Sequence, residues 1–557
     1  MLNQSLINYG KVDFDKNTLF FGDNLGLLSD RDTPSEFVDL IYLDPPFNSQ
    51  ADYNILFREA TGERSTAQIQ AFSDFWHWDS EARHAHDFLS SDPRTSNLAG
   101  AFKKYLGKSD VLAYLSMMGI RLLYLERVLR PTGSIFLHCD PTASHYLKLL
   151  MDSIFGVRNF RNEIVWKRSH PKGLAFTRFA RNHDVILYYA KDSTKVKWKM
   201  SYADYKPDRV ARSYSKKDEN GRPYMLDNLL NPNPNRPNLT YEFKGMTRVW
   251  RWTKERMLEA DAKGWIVVPR DGKGVPRYKR YLDEQEGVPI GDFWDDIEFV
   301  KGAERLDYPT QKPEALLERI IESSTDVGDL ILDPFCGCGT AIIAAEHLQR
   351  RWLGIDITFL AINLVQRRLK DKFPGIKFVT EGQPRDLVGA IALANQDRLN
   401  FQNWALSLID ARPTGSTLDN PKKSKAGADL GIDGKLTFRS GENGDIQDII
   451  VQVKSGKVDV THIREFRDVV SNSAAMGVFI TLQPPTGPMT KLAQETEPYI
   501  LKSFGTDHEY QKIQIITIEE LLDKDKRNRL KLPQILPSFP EAQLSRRVPG
   551  HTEGKLM

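Results

Sequence analysis

Along the first half of the chain, short continuous apolar runs alternate with apolar stripes at helical spacing, the pattern of a sheet with helices on its faces. Val38-Asp39-Leu40-Ile41-Tyr42-Leu43 reads as a strand that stops at Asp44-Pro45-Pro46-Phe47, where two prolines end ladder pairing. Leu112, Leu115, Met118, Leu122, Leu125 and Leu129 recur at helical spacing, and Pro131-Thr132-Gly133 predicts a turn into the strand Ser134-Ile135-Phe136-Leu137-His138. Two more strands are predicted, over Glu163–Trp166 and Asp184–Tyr189. From Arg168 to Glu304 the pattern becomes polar and rich in proline and asparagine. Regular alternation then returns with a helix over Pro313–Ser323, a strand over Leu330–Leu332, a helix over Thr340–Leu348 and a strand over Trp352–Ile355. The pattern predicts a first domain over 1–395 whose sheet is encoded in two halves around an insert at 168–304. A linker-like run from Arg412 to Ala428 lies in a second, β-rich domain expected at 396–530, and a polar tail follows at 531–557.

The length of 557 residues agrees with roughly two to four domains. Hydrophobic content of 40% and charged content of 27% exclude wholesale disorder. No apolar run is long enough for a membrane helix and the first residues lack a secretory pattern, so a cytoplasmic protein without membrane contact is expected. Three cysteines, Cys139, Cys336 and Cys338, exclude a disulfide framework, and Cys336-x-Cys338 has no second ligand pair nearby. His77, His84 and His86, with Trp76 and Trp78, lack acidic or cysteine support for a metal and read as packing residues. Net charge is only +3, from 77 basic and 74 acidic residues, so any attraction to nucleic acid must come from local patches.

Two segments carry candidate chemistry. Asp333-Pro334-Phe335-Cys336-Gly337-Cys338-Gly339-Thr340 lies between a predicted strand and a predicted helix, where glycines let a ligand approach the backbone; Asp356, ending the next strand, can accept hydrogen bonds from ribose hydroxyls. A P-loop lysine and the third glycine of the dinucleotide fingerprint are both absent, which favours a nucleoside ligand lacking a polyphosphate. Asp44-Pro45-Pro46-Phe47 combines a carboxylate, a rigid carbonyl-presenting turn and an aromatic face. A flat exocyclic amine is a poor nucleophile because its lone pair is delocalised. Hydrogen bonds to Asp44 and to the Pro45 carbonyl would favour the pyramidal form, with Phe47 stacked on the base.

Together these segments resemble the amino-group DNA methyltransferases that use S-adenosylmethionine and modify adenine N6 or cytosine N4. The resemblance spans roughly 15–385. It rests on Asp44-Pro45-Pro46-Phe47, the Asp333–Thr340 loop, Tyr308-Pro309-Thr310-Gln311-Lys312-Pro313, and the early Phe21-Gly22-Asp23-Asn24. Catalytic motif before cofactor motif is the permuted order of the beta class. It implies an α/β, Rossmann-like S-adenosylmethionine-dependent methyltransferase sheet, circularly permuted in motif order, with target recognition in the insert. As implied by the family, Asp44, Pro45, Pro46 and Phe47 are catalytic, and Asp before Pro-Pro favours adenine N6. The cofactor set is Asp23 near the adenine, Asp333, Phe335, Gly337, Gly339 and Thr340 at the methionyl part, Asp356 at the ribose, and Thr310 and Lys312 at the carboxylate end. The insert interleaves bases and aromatics, among them Lys195, Lys197, Trp198, Arg212, Lys216, Lys217, Arg248, Trp250, Trp252, Arg277 and Tyr278, which suits double-stranded DNA as partner.

In the second domain, Gln452 and Lys454 share one face of the strand Ile449–Lys454, and Asp433 can meet them from the adjoining strand. Asp433 and Gln452 could hold a magnesium ion, with Lys454 beside an attacking water. This Asp…Gln-x-Lys arrangement resembles the Mrr-like branch of the PD-(D/E)xK restriction-endonuclease fold, a second α/β domain, over about 398–485. The whole is expected to be an adenine-specific DNA methyltransferase of a restriction-modification or phage-defence system, with a DNA-cleaving or DNA-binding C-terminal domain. Two other readings stand beside it: a solitary adenine-N6 or cytosine-N4 methyltransferase with an inactive DNA-binding appendage, and a non-catalytic DNA-binding protein. A homodimer and separate defence-system subunits are compatible with either enzyme.

Overall fold

The structure, a computed structural model, describes residues 13–46, 78–141, 143–170, 179–180, 182–269, 274–306, 311–413, 431–440, 445–503 and 506–535. Phe47, Thr310 and His77 lie outside them.

A nine-stranded sheet organises the N-terminal region. Its strands are β1 (Thr18–Phe21), β2 (Val38–Leu43), β3 (Leu129–Cys139), β4 (Phe160–Lys167), β5 (His183–Ala190), β6 (Phe293–Trp294), β7 (Leu330–Asp333), β8 (Arg351–Asp356) and β9 (Val379–Glu381). The spatial order is β6-β4-β5-β3-β2-β7-β8-β1-β9. From β3 to β9 all neighbours are parallel, whereas β5 runs antiparallel to β3 and β4. Both faces of the parallel part are covered, so β2 is buried along its whole length. Its one charge, Asp39, accepts from Arg130 at 2.9 Å and from the Leu330 amide at 3.0 Å, which joins β2 to β7.

The predicted turn at Pro131–Gly133 is part of strand β3 instead. Val38 pairs with Leu129 but Leu40 with Ser134, so these residues are accommodated as an irregularity in the β2–β3 ladder. A Cβ at Gly133 would lie 2.8 Å from the Asp39 carbonyl oxygen, which explains the glycine. Helix α1 (Asn24–Ser29) follows β1, and α2 (Asp110–Val128) buries residues on almost every face. The helix α3 (Glu314–Ser324) precedes β7, α4 (Thr340–His347) connects β7 to β8 and α5 (Phe359–Lys372) follows β8. His86 is buried against Trp78 and Ser116, while His84 is exposed.

Residues Lys199–Gly291 form a separate compact unit. It is narrower than the insert expected from the sequence, because His183–Ala190 pairs inside the main sheet, next to β3. A four-stranded sheet and a hairpin enclose a core of Leu229, Phe243, Trp250, Met257, Ala260 and Ile266. Trp250 is therefore a core residue, and Trp252 and Tyr278 pack against that core. Lys197 belongs to the main unit and is paired with Asp329 at 2.6 Å.

The C-terminal sheet consists of β10 (Arg412–Pro413), β11 (Gly434–Ser440), β12 (Asp445–Lys454), β13 (Met476–Thr481) and β14 (Ile513–Thr517), in that order. The helix Val460–Ser473 lays Ile463, Phe466 and Val470 on Ile450 and Phe479. The helix Arg398–Ser407 links this sheet to the first domain: Asn400 accepts from the Phe359 amide at 3.0 Å, and a Cβ at Gly434 would meet Leu406 at 2.4 Å. Among the described residues no helix is long and apolar enough to cross a membrane.

Candidate active site

Four adjacent parallel strands, β2, β7, β8 and β1, end on the same edge of the sheet, and each end carries an aspartate: Asp44, Asp333, Asp356 and Asp23. The chain leaves β2 towards β3 and leaves β7 in the other direction, towards β8. Asp44 and Asp333 thus flank the point where the winding reverses, the place at which open α/β sheets leave a crevice for a ligand.

Backbone bonds tie these ends together. The Gly22 amide donates to the Asp356 carbonyl and the Cys336 amide to the Ile355 carbonyl, both at 2.9 Å. One oxygen of the buried Asp356 carboxylate accepts from the Gly337 amide at 2.9 Å, and the other from the Thr358 amide and hydroxyl at 2.8 Å. Burial holds the Asp356 carboxyl above the usual range in spite of these bonds. Asp333 is pushed well above it, first by burial and then by the charges of Asp44 and Asp356; the Phe335 amide and Lys312 oppose the shift. The Asp333 carboxyl is therefore within electrostatic reach of Asp44, Asp356 and Lys312.

Gly339 caps α4 in the left-handed region at φ 77°, and a Cβ there would lie 2.6 Å from Val365 of α5. This glycine serves helix packing as well as the turn, a role that the sequence pattern did not show. Thr340 is buried with its hydroxyl 3.5 Å from Cys338 Sγ, and Phe335 packs partly buried against the main core. All three cysteines are free and buried, and burial raises their thiols.

Lys312, just ahead of α3, forms an ion pair with Asp44. The family resemblance placed it at the carboxylate end of the cofactor; the structure brings it to Asp44. Two further groups went unnoticed. Beneath Asp44, the Tyr42 hydroxyl is 3.0 Å from His138 Nδ1, and His138 Nε2 is 3.1 Å from Asp184. This chain is buried and crosses β2, β3 and β5. Burial alone would raise Asp184, but the His138 hydrogen bond and the charges of His138, Arg168 and Lys312 outweigh it and hold the carboxyl below the usual range. The second group centres on Arg121, whose inward position in the stripe Met118, Leu122, Leu125 was the available signal.

In the C-terminal domain, Asp433 lies beside β12, just ahead of β11: its amide donates to the Val451 carbonyl at 2.8 Å and its carboxylate accepts from the Val453 amide at 2.7 Å. Gln452 is buried and shares a face with Lys454. A Cβ at Gly431 would meet the Gln452 amide nitrogen at 2.4 Å, so the glutamine is packed tightly on the preceding turn. Among the described residues no group of three or more His, Cys, Asp or Glu could hold a metal ion. Among the described residues nothing supports the magnesium site suggested by the sequence.

A family profile described as DNA methylase, of the N6/N4 type, matches residues 38–367, more than half of the chain. The chain belongs to this DNA methylase family. Residues 418–523 match a second family, the NACHT-associated inactive Restriction Endonuclease 1. The C-terminal domain is thus restriction-endonuclease-like and of a kind described as inactive. Among relatives, the Type II methyltransferase M.EcaI of Enterobacter cloacae is 32% identical over 262 residues, 46% of this chain and 57% of that protein. The Type III restriction-modification enzyme StyLTI Mod subunit of Salmonella typhimurium is 26% identical over 72% of this chain and 62% of its own length. The chain therefore spans about three fifths of these two relatives. The Type II methyltransferase M.HpaI of Haemophilus parainfluenzae is 35% identical, over 58% of this chain and 80% of that protein. A solved structure of a putative DNA modification methylase from Thermus thermophilus, complexed with S-adenosyl-L-methionine, has 16% identity and a TM-score of 0.33, covering 66% of this chain and 99% of its own.

Proposed function

We propose that this member of the DNA methylase family transfers a methyl group from S-adenosylmethionine to an exocyclic amine of DNA, at adenine N6, within a restriction-modification or defence system. The observation that carries this reading is the carboxylate edge: Asp44, Asp333, Asp356 and Asp23 end four adjacent parallel strands, and Lys312 neutralises Asp44. The cofactor supplies a methyl on a positively charged sulfur, which becomes a neutral thioether when the carbon–sulfur bond breaks. The buried carboxyls of Asp333 and Asp356, and the Gly337 turn between them, suit a cationic nucleoside. Asp44 accepts a hydrogen bond from the target amine, concentrates its lone pair on nitrogen and takes up or passes on the proton lost as the nitrogen–carbon bond forms. Pro45 and Pro46 keep the loop rigid, so that the acceptor is in place before the base arrives.

A base paired in a duplex cannot reach that edge, so it must flip, at a cost of a few kcal/mol. The unit Lys199–Gly291 supplies exposed Arg209, Arg212, Lys216, Lys217, Arg248 and Arg277 for phosphate and base-edge contacts. Adenine is favoured over cytosine because the family motif here carries Asp, not Ser, before Pro-Pro. For the C-terminal domain the DNA-binding appendage is the better reading, since the family that residues 418–523 match is described as inactive.

Sequencing that maps modified bases in DNA from cells expressing the protein tests the proposal. N6-methyladenine in one sequence context, lost with Asp44→Ala, is the expected result. N4-methylcytosine would overturn the base assignment, and unmodified DNA in cells that contain folded wild-type protein would overturn the reaction.

A further inference from the structure

Arg121 lies in the middle of α2 with its side chain only 7% exposed, far along the chain from every motif used above. A buried guanidinium is costly unless its donors are used. Nη1 donates to the Met117 carbonyl of its own helix at 3.1 Å, Nε to Asn24 Oδ1 at 2.7 Å, and Nη2 to Asp23 Oδ1 at 2.8 Å. Asn24 then turns its amide on the cofactor loop: Nδ2 donates to the Pro334 carbonyl at 2.7 Å. Asp23 Oδ1 also accepts from the Leu25 amide at 3.0 Å, so one oxygen of that carboxylate is fully used in fixing the turn. Its other oxygen accepts from no described residue.

We infer that Arg121 is a positioning residue for the cofactor: through Asn24 and Asp23 it holds the turn after β1 against the loop after β7, and so sets the shape of the nucleoside end of the site. The inference rests on the proposed S-adenosylmethionine reading. A planar fork suits this task because three donors leave in fixed directions towards three acceptors on two elements. Lysine keeps the charge and loses the fork. The chain of contacts runs from α2 to Asn24 to Pro334 without touching Asp44, so the cofactor end can loosen while the base-accepting end stays as it was.

The test is steady-state kinetics of the full chain, with thermal melting as a check on folding. Arg121→Lys should raise the KM for S-adenosylmethionine about tenfold, the size of one charge-assisted hydrogen bond. The kcat at saturating cofactor and the KM for DNA should stay unchanged. Asn24→Ala, which removes the middle link without stranding a buried charge, should do the same, and the double variant should be no worse than the poorer single one. An unchanged cofactor KM in folded Arg121→Lys would overturn the inference. So would a fall confined to kcat, or additive losses in the double variant. If the wild-type protein binds no S-adenosylmethionine in calorimetry, the cofactor reading fails and the inference with it; wild-type binding with an unaffected Arg121→Lys overturns the inference alone.

Discussion

Lys312 donates to Asp44 Oδ2, joining residues 268 positions apart into an ion pair at the edge of the sheet. The two side chains are 10% and 17% exposed, so the pair is largely sheltered from solvent screening. A cation beside this carboxylate fixes its direction.

This pairing separates two roles for Lys312. If it serves Asp44, Lys312→Met lowers kcat by roughly tenfold or more, with little change in cofactor affinity, since charge-assisted bonds contribute about 1.5–3 kcal/mol. A raised KM for S-adenosylmethionine at unchanged kcat would place the lysine on the cofactor instead. Methyl-transfer kinetics with labelled cofactor decide between them.

Asp333 and Asp356 give the site a pH signature. Burial raises both carboxyls, so they keep protons to higher pH than an unfolded aspartate, whose pKa is about 3.9. Their contribution to stability is full below that value and is lost as pH rises through the folded values. A cationic ligand favours the ionised forms. Binding should therefore release protons and tighten as pH rises through that window. Calorimetry in buffers of different ionisation enthalpy should show the release, and Asp356→Asn should reduce it; identical heats in all buffers would contradict the charge assignment.

Gly339→Ala combines a left-handed backbone with a Cβ 2.6 Å from Val365. The expected loss is about 1–3 kcal/mol in urea unfolding. Adding Val365→Ala should recover part of it, because the clash is relieved while the backbone strain stays. No recovery would show that the turn alone requires glycine.

Asp184→Ala would leave His138 and Arg168 without their carboxylate in a site where His138 is fully buried. Removal of one partner from a buried pair costs about 3–5 kcal/mol, so the urea midpoint should fall clearly. In the wild type the depressed Asp184 contributes stability above the unfolded value of about 3.9 and loses it as pH falls through the lower folded value. The Asp184→Ala penalty should therefore shrink in acid.

Asp433 supports β12 through the Val453 amide, so Asp433→Ala should lower stability by about 1–2 kcal/mol. Wild-type protein should show no magnesium-dependent cleavage of DNA for that variant to abolish. Cleavage that disappears in Asp433→Ala and Lys454→Ala would restore the nuclease reading.

Much of the site was legible because its motifs are local. A strand that ends at two prolines, and a Gly-x-Gly turn between strand and helix, are dictated by backbone geometry within a few residues. The strand Val38–Leu43 follows directly. Pro131–Gly133 misled for a related reason: turn residues were read without the neighbouring strand, whose pairing absorbs them as an irregularity. Trp250, grouped by the sequence with the DNA-facing aromatics, is enclosed by Phe243 and Met257 in a core that no local pattern shows.

By itself the sequence determined the chemistry available, namely which carboxylates close their strands, which turns are rigid and which family the motifs resemble. Strand order lies beyond any local pattern. Only the tertiary structure decided that four aspartates share one edge, that Lys312 meets Asp44 and that Arg121 reaches Asn24 from another helix. The reason is physical: propensity and periodicity act over a few residues, whereas these partners are chosen by which parallel strands lie side by side and by the cost of burying a charge without a partner.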